Sequence, residues 1–342
     1  MTDHFWLGMS IAFLSGIFNG SFALPMKYSR SWRWENTWLM FSVGALLFFP
    51  WLLALVFTPN LAAVYRTTSR HALFYPLLFG LLWGFAQTTF GLGISAVGMA
   101  LAFAVVMGLA CLFGSLVPLL VLNPSDLLHP RGLLLLASMP LLFLGLTYCG
   151  LAGSRRDKEK SSPDRPEESA NTSFRLGLAI CVFTGAFGAN LNLGFAFSGD
   201  LIPRGQSLGA NAVTATYPVW ALVLSAGFIS NLVYCSYLLS RNQTWTRFWC
   251  RGSSREAALG IAMALLWLAG IVCYGIGATL VGKYGTSLGF ALFMAVTILA
   301  SNLLGIWMGE WKGISDRTMN QLMLGVGMVL VSVIVLNLGG LF

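Results

Sequence analysis

Apolar residues run along this chain in stretches long enough for a bilayer, which demands roughly 20 per helix, and short clusters of charges or turn formers separate them. Read between those clusters, the pattern predicts ten helices: Phe5–Met26, Thr37–Phe57, Ala72–Ala96, Met99–Val121, Arg131–Ala152, Phe174–Ser198, Ala210–Leu239, Ala257–Val281, Thr286–Met308 and Met319–Gly340. Only Val97-Gly98 separates the third from the fourth, so these form a tight antiparallel hairpin. The seventh is over-long and opens with Asn211, Thr214, Thr216, Tyr217 and Pro218, a start expected to be unwound or interfacial. Between the fifth and sixth, Gly153–Ser173 has mixed charges, two prolines and almost no apolar residues, the composition of a disordered connector. The expected division is therefore a five-helix unit at 1–152, a cytoplasmic connector at 153–173 and a second five-helix unit at 174–342.

Composition makes the membrane assignment firm. Hydrophobic residues are 57% and charged residues 9%, against about 25% charged in soluble domains. So few ions cannot cover a surface that faces water. Five of the six cysteines lie in apolar runs and Cys250 in a basic loop, which argues against a secreted disulfide scaffold. The net charge of +8 is scattered over short loops, so topology rather than nucleic acid explains it. Loops after odd-numbered helices hold fifteen Lys and Arg, and the opposite side holds five. By the positive-inside rule the connector is cytoplasmic and both termini are outside. The start lacks a basic region and a cleavage site, so Phe5 onward is expected to be a retained helix, and Trp32, Trp34 and Trp38 an interfacial belt. Sequons at Asn171 and Asn242 fall on the cytoplasmic side and are set aside as chance.

The two units match internally. Leu81, Leu82, Trp83, Gly91, Gly93, Val97 and Gly98 are identical to Leu265, Leu266, Trp267, Gly275, Gly277, Val281 and Gly282. Next, Gly98, Leu101, Phe103, Ala104 and Met107 match Gly285, Leu288, Phe290, Ala291 and Met294, while Leu7-Gly8, Ile11, Gly16 and Phe18 match Leu176-Gly177, Ile180, Gly185 and Phe187. An odd number of helices per unit makes the second enter the membrane upside down. Two inverted five-helix repeats are the architecture of alternating-access transporters. A membrane enzyme would gather His, Asp, Glu or Cys inside its helices, whereas His4, His71 and His129 all lie at helix ends, and no cofactor or metal pattern is present. Gly16/Gly20, Gly80/Gly84 and Gly305/Gly309 have the spacing of close helix packing.

Polar side chains within the apolar runs then mark the candidate site. Gln87-Thr88-Thr89 lies at mid-depth with Trp83 one turn earlier on the same face, and the matching positions are Ile271, Val272 and Cys273. The shared fold therefore does not require this polarity. Asn19 precedes the kink residue Pro25, and Asn190, Asn192 and Asn302 add amides from two further helices. Amides suit a ligand with neutral hydroxyls, and Trp83, Trp267, Tyr217 and Tyr274 offer rings to stack on a sugar's apolar face. No carboxylate lies deep in a helix, which disfavours a cation exporter. Glu35 is the first candidate proton carrier, Asp200 the second, and Glu35 and Lys27 are the charged pair that flanks the first loop.

Pro25-Met26-Lys27 with Trp32-Arg33-Trp34-Glu35, then Trp83-Gly84, Phe90-Gly91 and Gly98-Met99, and Glu310-Trp311 after the ninth helix, resemble motifs of the L-rhamnose/proton symporter family of the drug/metabolite transporter superfamily. Phe90 replaces a tyrosine, and the family has asparagines where Gln87 and Thr89 stand. The resemblance implies a bacterial inner-membrane importer of L-rhamnose or another monosaccharide, driven by protons, without a cofactor. Its alternatives are a facilitator or exporter of another small neutral metabolite, or a membrane-embedded sugar sensor.

Overall fold

The computed structural model describes residues 2–97, 99–160, 174–309 and 311–338, and all secondary structure among these residues is helical. Gly98, Glu310, the connector residues 161–173 with the Asn171 sequon, and Gly340 lie outside the described residues. Helix α1 (Thr2–Ser21) gives way to a 3-10 turn at Leu24–Tyr28, where Pro25 has no N–H to continue the α ladder. Helices α2 (Trp34–Ser42) and α3 (Phe49–Phe57) form one rod with a π turn at Val43–Phe48 between them, and Pro50 opens α3. A short α4 (Leu61–Thr67) leads into α5 (Arg70–Val97), which meets α6 (Met99–Leu122) across Gly98 as the expected tight hairpin.

Helix α7 (Pro130–Lys160) runs eight residues past the predicted end at Ala152, so the connector's first part is helical rather than disordered. The reason is a tertiary tie: Glu159 accepts hydrogen bonds from the Ser315 backbone at 2.7 Å and the Thr318 hydroxyl at 2.7 Å, which fixes this extension to the start of another helix. The sixth apolar run breaks at Ala189 into α8 (Phe174–Gly188) and α9 (Asn190–Ala196), and α10 (Leu201–Ser207) follows. The seventh helix, α11 (Tyr217–Arg241), begins seven residues later than Ala210, after a 3-10 turn at Thr214–Thr216, with Pro218 in its first turn. Helix α12 (Ser253–Val281) and α13 (Phe290–Trp307) are linked through Gly282, at φ +81°, and a π turn at Gly285–Gly289. Only glycine fits at 285, where a Cβ would lie 1.7 Å from the Ala278 carbonyl oxygen. Helix α14 (Asp316–Leu338) ends the described chain.

Eight helical runs among the described residues are long and apolar enough to cross a membrane, which makes this a multi-pass membrane protein. α1 packs on α12 and α13, α5 on α8 and α11, α7 on α6 and α14, and α11 on the α2–α3 rod. Small residues permit the closest approaches: a Cβ on Gly16 would lie 2.6 Å from the Val296 Cβ, and one on Gly80 would lie 2.1 Å from the Val223 carbonyl oxygen. One apolar core gathers around α1, α7, α13 and α14, and another around α2, α5, α11 and α12. The second core contains the cavity.

Candidate functional site

A small cavity of about 50 Å³ lies where α2, α5, α11 and α12 meet the turn after α1. Phe22, Trp38, Phe41, Leu46, Trp83 and Trp267 supply apolar walls, and Gln87 and Asn231 supply amides. The walls are organised by ring contacts. Trp83 and Trp267 stack with centroids 5.9 Å apart and planes within 23°, and Trp267 meets the Phe41 ring edge-on at 6.0 Å. Trp38, also in the lining, stacks on Trp34 at 5.1 Å and donates its indole N–H to the Asn231 Oδ1 at 3.1 Å. Gln87 is exposed and makes no hydrogen bond with the described residues, so its amide is available to a ligand.

Of the residues singled out from sequence, Trp83, Gln87 and Trp267 line this cavity together. The others are placed elsewhere. Thr88 and Asn302 donate to carbonyls of their own helical turns, Phe85 and Ile298, and Asn190 donates across the break at Ala189 to the Phe187 carbonyl. Asn19 donates to the Thr297 hydroxyl at 3.3 Å, between α1 and α13. Asn192 ties three elements: its Nδ2 donates to the carbonyls of Gly114 at 2.6 Å and Thr286 at 2.7 Å, and its Oδ1 accepts from the Tyr274 hydroxyl. Tyr274 is fully buried among Phe290, Phe293 and Trp220, so this group forms a plug of aromatic rings. Tyr217 lies at the far end of α11 against Phe57.

The carboxylates take up loop positions with defined partners. Glu35, in the first turn of α2, is only 4% exposed, and its Oε1 accepts from the Asn242 side chain at 3.0 Å and the Thr244 hydroxyl at 2.8 Å. These two donors are the polar ends of the sequon set aside above. Asn36 adds a bond to the Thr244 carbonyl at 2.9 Å. Asp200 accepts from the Ser69 hydroxyl at 2.8 Å and its N–H at 3.3 Å, joining the turn before α10 to the start of α5. Lys27 points toward the Met308 sulfur at 3.8 Å.

Glu256 went unnoticed in the sequence, where an acid in the first turn of a helix reads as an ordinary cap. It is 2% exposed and accepts from the Ser29 hydroxyl at 2.5 Å and the N–H groups of Arg30 and Ser31 at 3.1 and 3.3 Å. Trp32 also departs from expectation. It is buried rather than interfacial, donating to the Arg247 carbonyl at 2.8 Å, because the connection between α11 and α12 covers the start of α2. Trp38 leaves the expected belt for the cavity wall, and Trp34 alone of the three stays exposed.

Comparison with known proteins agrees with the motifs. The family model for "L-rhamnose-proton symport protein (RhaT)" matches residues 1–341. The chain is 23% identical to an L-rhamnose-proton symporter of Pectobacterium atrosepticum, with 99% of each chain covered. It is 24% identical to one of Salmonella gallinarum and 23% to one of Cronobacter sakazakii, with 93% of each chain covered in both cases. A match over nearly the whole length leaves one conclusion: this chain belongs to the L-rhamnose-proton symport family.

Proposed function

We propose that the protein imports a 6-deoxyhexose of the L-rhamnose type, or a closely related monosaccharide, together with a proton, by alternating access in the bacterial inner membrane. The observation that carries this reading is the cavity where Trp83 and Trp267 stack beside the unpaired Gln87 amide. Indole faces suit the apolar face of a pyranose, and a neutral amide donates to and accepts from hydroxyls without demanding charge. Relatives named as L-rhamnose-proton symporters support both sugar and proton. One proton crossing ~100 mV releases ~2.3 kcal/mol, enough for roughly 50-fold accumulation of a neutral solute.

Ten crossings in two inverted repeats are the architecture we infer. The apolar run Ser253–Trp307 holds 55 residues, far more than one crossing needs, and it is split at Gly282; α14 adds a further 23-residue helix. Equivalent contacts recur in the two halves. A Cβ on Gly16 would meet Val296 and the Phe293 carbonyl, and one on Gly185 would meet Leu109 and the Val106 carbonyl, the positions that match in the sequence repeat. Likewise Gly277 abuts Ala12 and Gly93 abuts Cys181. The basic residues favour both termini in the periplasm, and reporter fusions after α14 test this: a fusion active only in the cytoplasm overturns it.

In this reading Gln87, Trp83 and Trp267 hold the sugar and Glu35 carries the proton, with Asp200 as second choice. Glu35 lies one turn before the cavity wall Trp38 on α2, so a change in its charge acts on the same helix that lines the site. The test is uptake of labelled L-rhamnose into vesicles with and without an imposed proton gradient. Accumulation that collapses with an uncoupler supports proton symport. Gradient-independent equilibration would show a facilitator instead.

A further inference from the structure

Of the two amides in the cavity lining, Asn231 is the one bonded to the protein through both its oxygen and its nitrogen. It lies 4% exposed on α11, donates from Nδ2 to the Gly227 carbonyl one turn earlier at 3.1 Å, and accepts at Oδ1 from the Trp38 indole at 3.1 Å. With one end donating and the other accepting, the amide has a single productive orientation, and it presents an acceptor to Trp38 alone. The same turn of α11 also fixes a second indole of the lining. A Cβ on Gly227 would lie 2.6 Å from the Trp83 ring, so that ring rests directly on the backbone, and Trp83 in turn stacks on Trp267.

The two indole walls therefore take their positions from neighbouring residues of one helical turn. Packing alone sets Trp83. Trp38 is different, because it belongs to α2 and reaches α11 through a polar bond between separate helices. Without that bond the indole keeps its contacts with Trp34, Phe41 and Phe22, yet nothing directs its N–H edge toward α11.

We propose that Asn231 is the positioning residue of the sugar site, fixing the Trp38 wall and so setting how tightly the apolar face of the sugar is held. This rests on the reading of the cavity as the sugar site. In this role Asn231 acts through Trp38, whose indole N–H it accepts.

The experiment measures the concentration dependence of labelled L-rhamnose uptake for Asn231→Leu, Trp38→Phe, the double variant and Gln87→Leu. KM does not depend on how much protein reaches the membrane, so modest losses of yield leave the comparison intact. Asn231→Leu should raise KM about five- to tenfold with the maximal rate per transporter largely kept. Trp38→Phe, which keeps a ring but lacks the N–H, should do much the same, and the double variant should be no worse than either. An unchanged KM in Asn231→Leu, or single effects that multiply in the double variant, overturns the proposal. If Gln87→Leu and Trp38→Phe both leave KM unchanged, the cavity itself is not the sugar site. If those two raise it and Asn231→Leu does not, the cavity stands and only the role of Asn231 falls.

Discussion

The carboxylate of Glu35 accepts a 2.8 Å hydrogen bond from the hydroxyl of Thr244, a residue on the connection that joins two other helices. With Asn242 on the same oxygen, the bond pins the start of α2 to the end of α11. A protonated acid is a weaker acceptor than a carboxylate, so this joint responds to proton binding. Glu35→Gln keeps the shape and removes the titration. It should abolish accumulation of sugar against its gradient and preserve exchange of labelled for unlabelled sugar. Proton-dependent accumulation by the variant would reduce Glu35 to a fixed anchor.

Gln87 has a built-in control, since the matching position of α12 is Ile271, buried in the apolar core. Gln87→Leu should insert and fold normally. Loss of its hydrogen bonds to a bound sugar should weaken affinity by about 1–3 kcal/mol, roughly five- to 150-fold. Equilibrium binding to purified protein checks this, and an unchanged Kd would assign Gln87 to helix packing.

Gly16 and Gly185 should respond alike. A methyl group at either would lie within 2.8 Å of a neighbouring side chain, whereas one at Gly327 would meet nothing within 4 Å. Gly16→Ala and Gly185→Ala should each destabilise by about 1–3 kcal/mol through overpacking. Gly327→Ala should be neutral or slightly stabilising, since alanine is the better helix former. Thermal unfolding in detergent distinguishes them, and equal midpoints for all three variants would contradict the packing described.

Glu256 closes the loop between α1 and α2 from the start of α12. Glu256→Ala leaves the Arg30 and Ser31 N–H groups without their acceptor. Amide hydrogen exchange at both positions should accelerate at least tenfold, with that of the α12 interior unaffected. Protection that persists would mean that the loop is held by the Trp32 and Arg247 bonds alone.

Outside the membrane-spanning part, Glu159 gives a pH prediction. The Thr318 hydroxyl, with help from Ser315, holds its carboxyl below the ordinary value of 4.5. A depressed carboxylate stabilises the contact above the unfolded pKa, and the contribution is lost as pH falls through the folded one. The tie between α7 and α14 should therefore be intact at neutral pH and loosen only in acid below the ordinary carboxylate value of 4.5. Exchange at the Ser315 amide between pH 3 and 6, corrected for its intrinsic rate, measures this. Glu159→Gln should remove most of the pH dependence.

Helix positions were legible because bilayer thickness imposes a length that hydropathy reads directly. Trp83 and Gln87 were legible because the internal repeat supplied a comparison, with polarity at Gln87 where Ile271 stands. Asn231 was not, since a lone amide in an apolar helix looks the same whether it faces a cavity or a neighbouring backbone. Partners more than 200 positions apart were equally hidden: nothing in the local pattern of Asn242 or Thr244 points to Glu35. Asn190 and Asn302 show the converse. Their amides bond to carbonyls three or four residues earlier in the chain, a local solution that residue type alone does not reveal.

The seam between the α2–α3 rod and α11 is pinned at both ends, but by different chemistry. At the far end, Thr58 donates to the Thr214 carbonyl and Trp51 to the Ser225 hydroxyl, groups that neither gain nor lose a proton near neutral pH. At the near end one of the pins is the Glu35 carboxylate. If Glu35 carries the proton as proposed, acidity loosens this seam from one end only. A membrane that holds different pH on its two faces is read by such a seam as a direction rather than as a concentration.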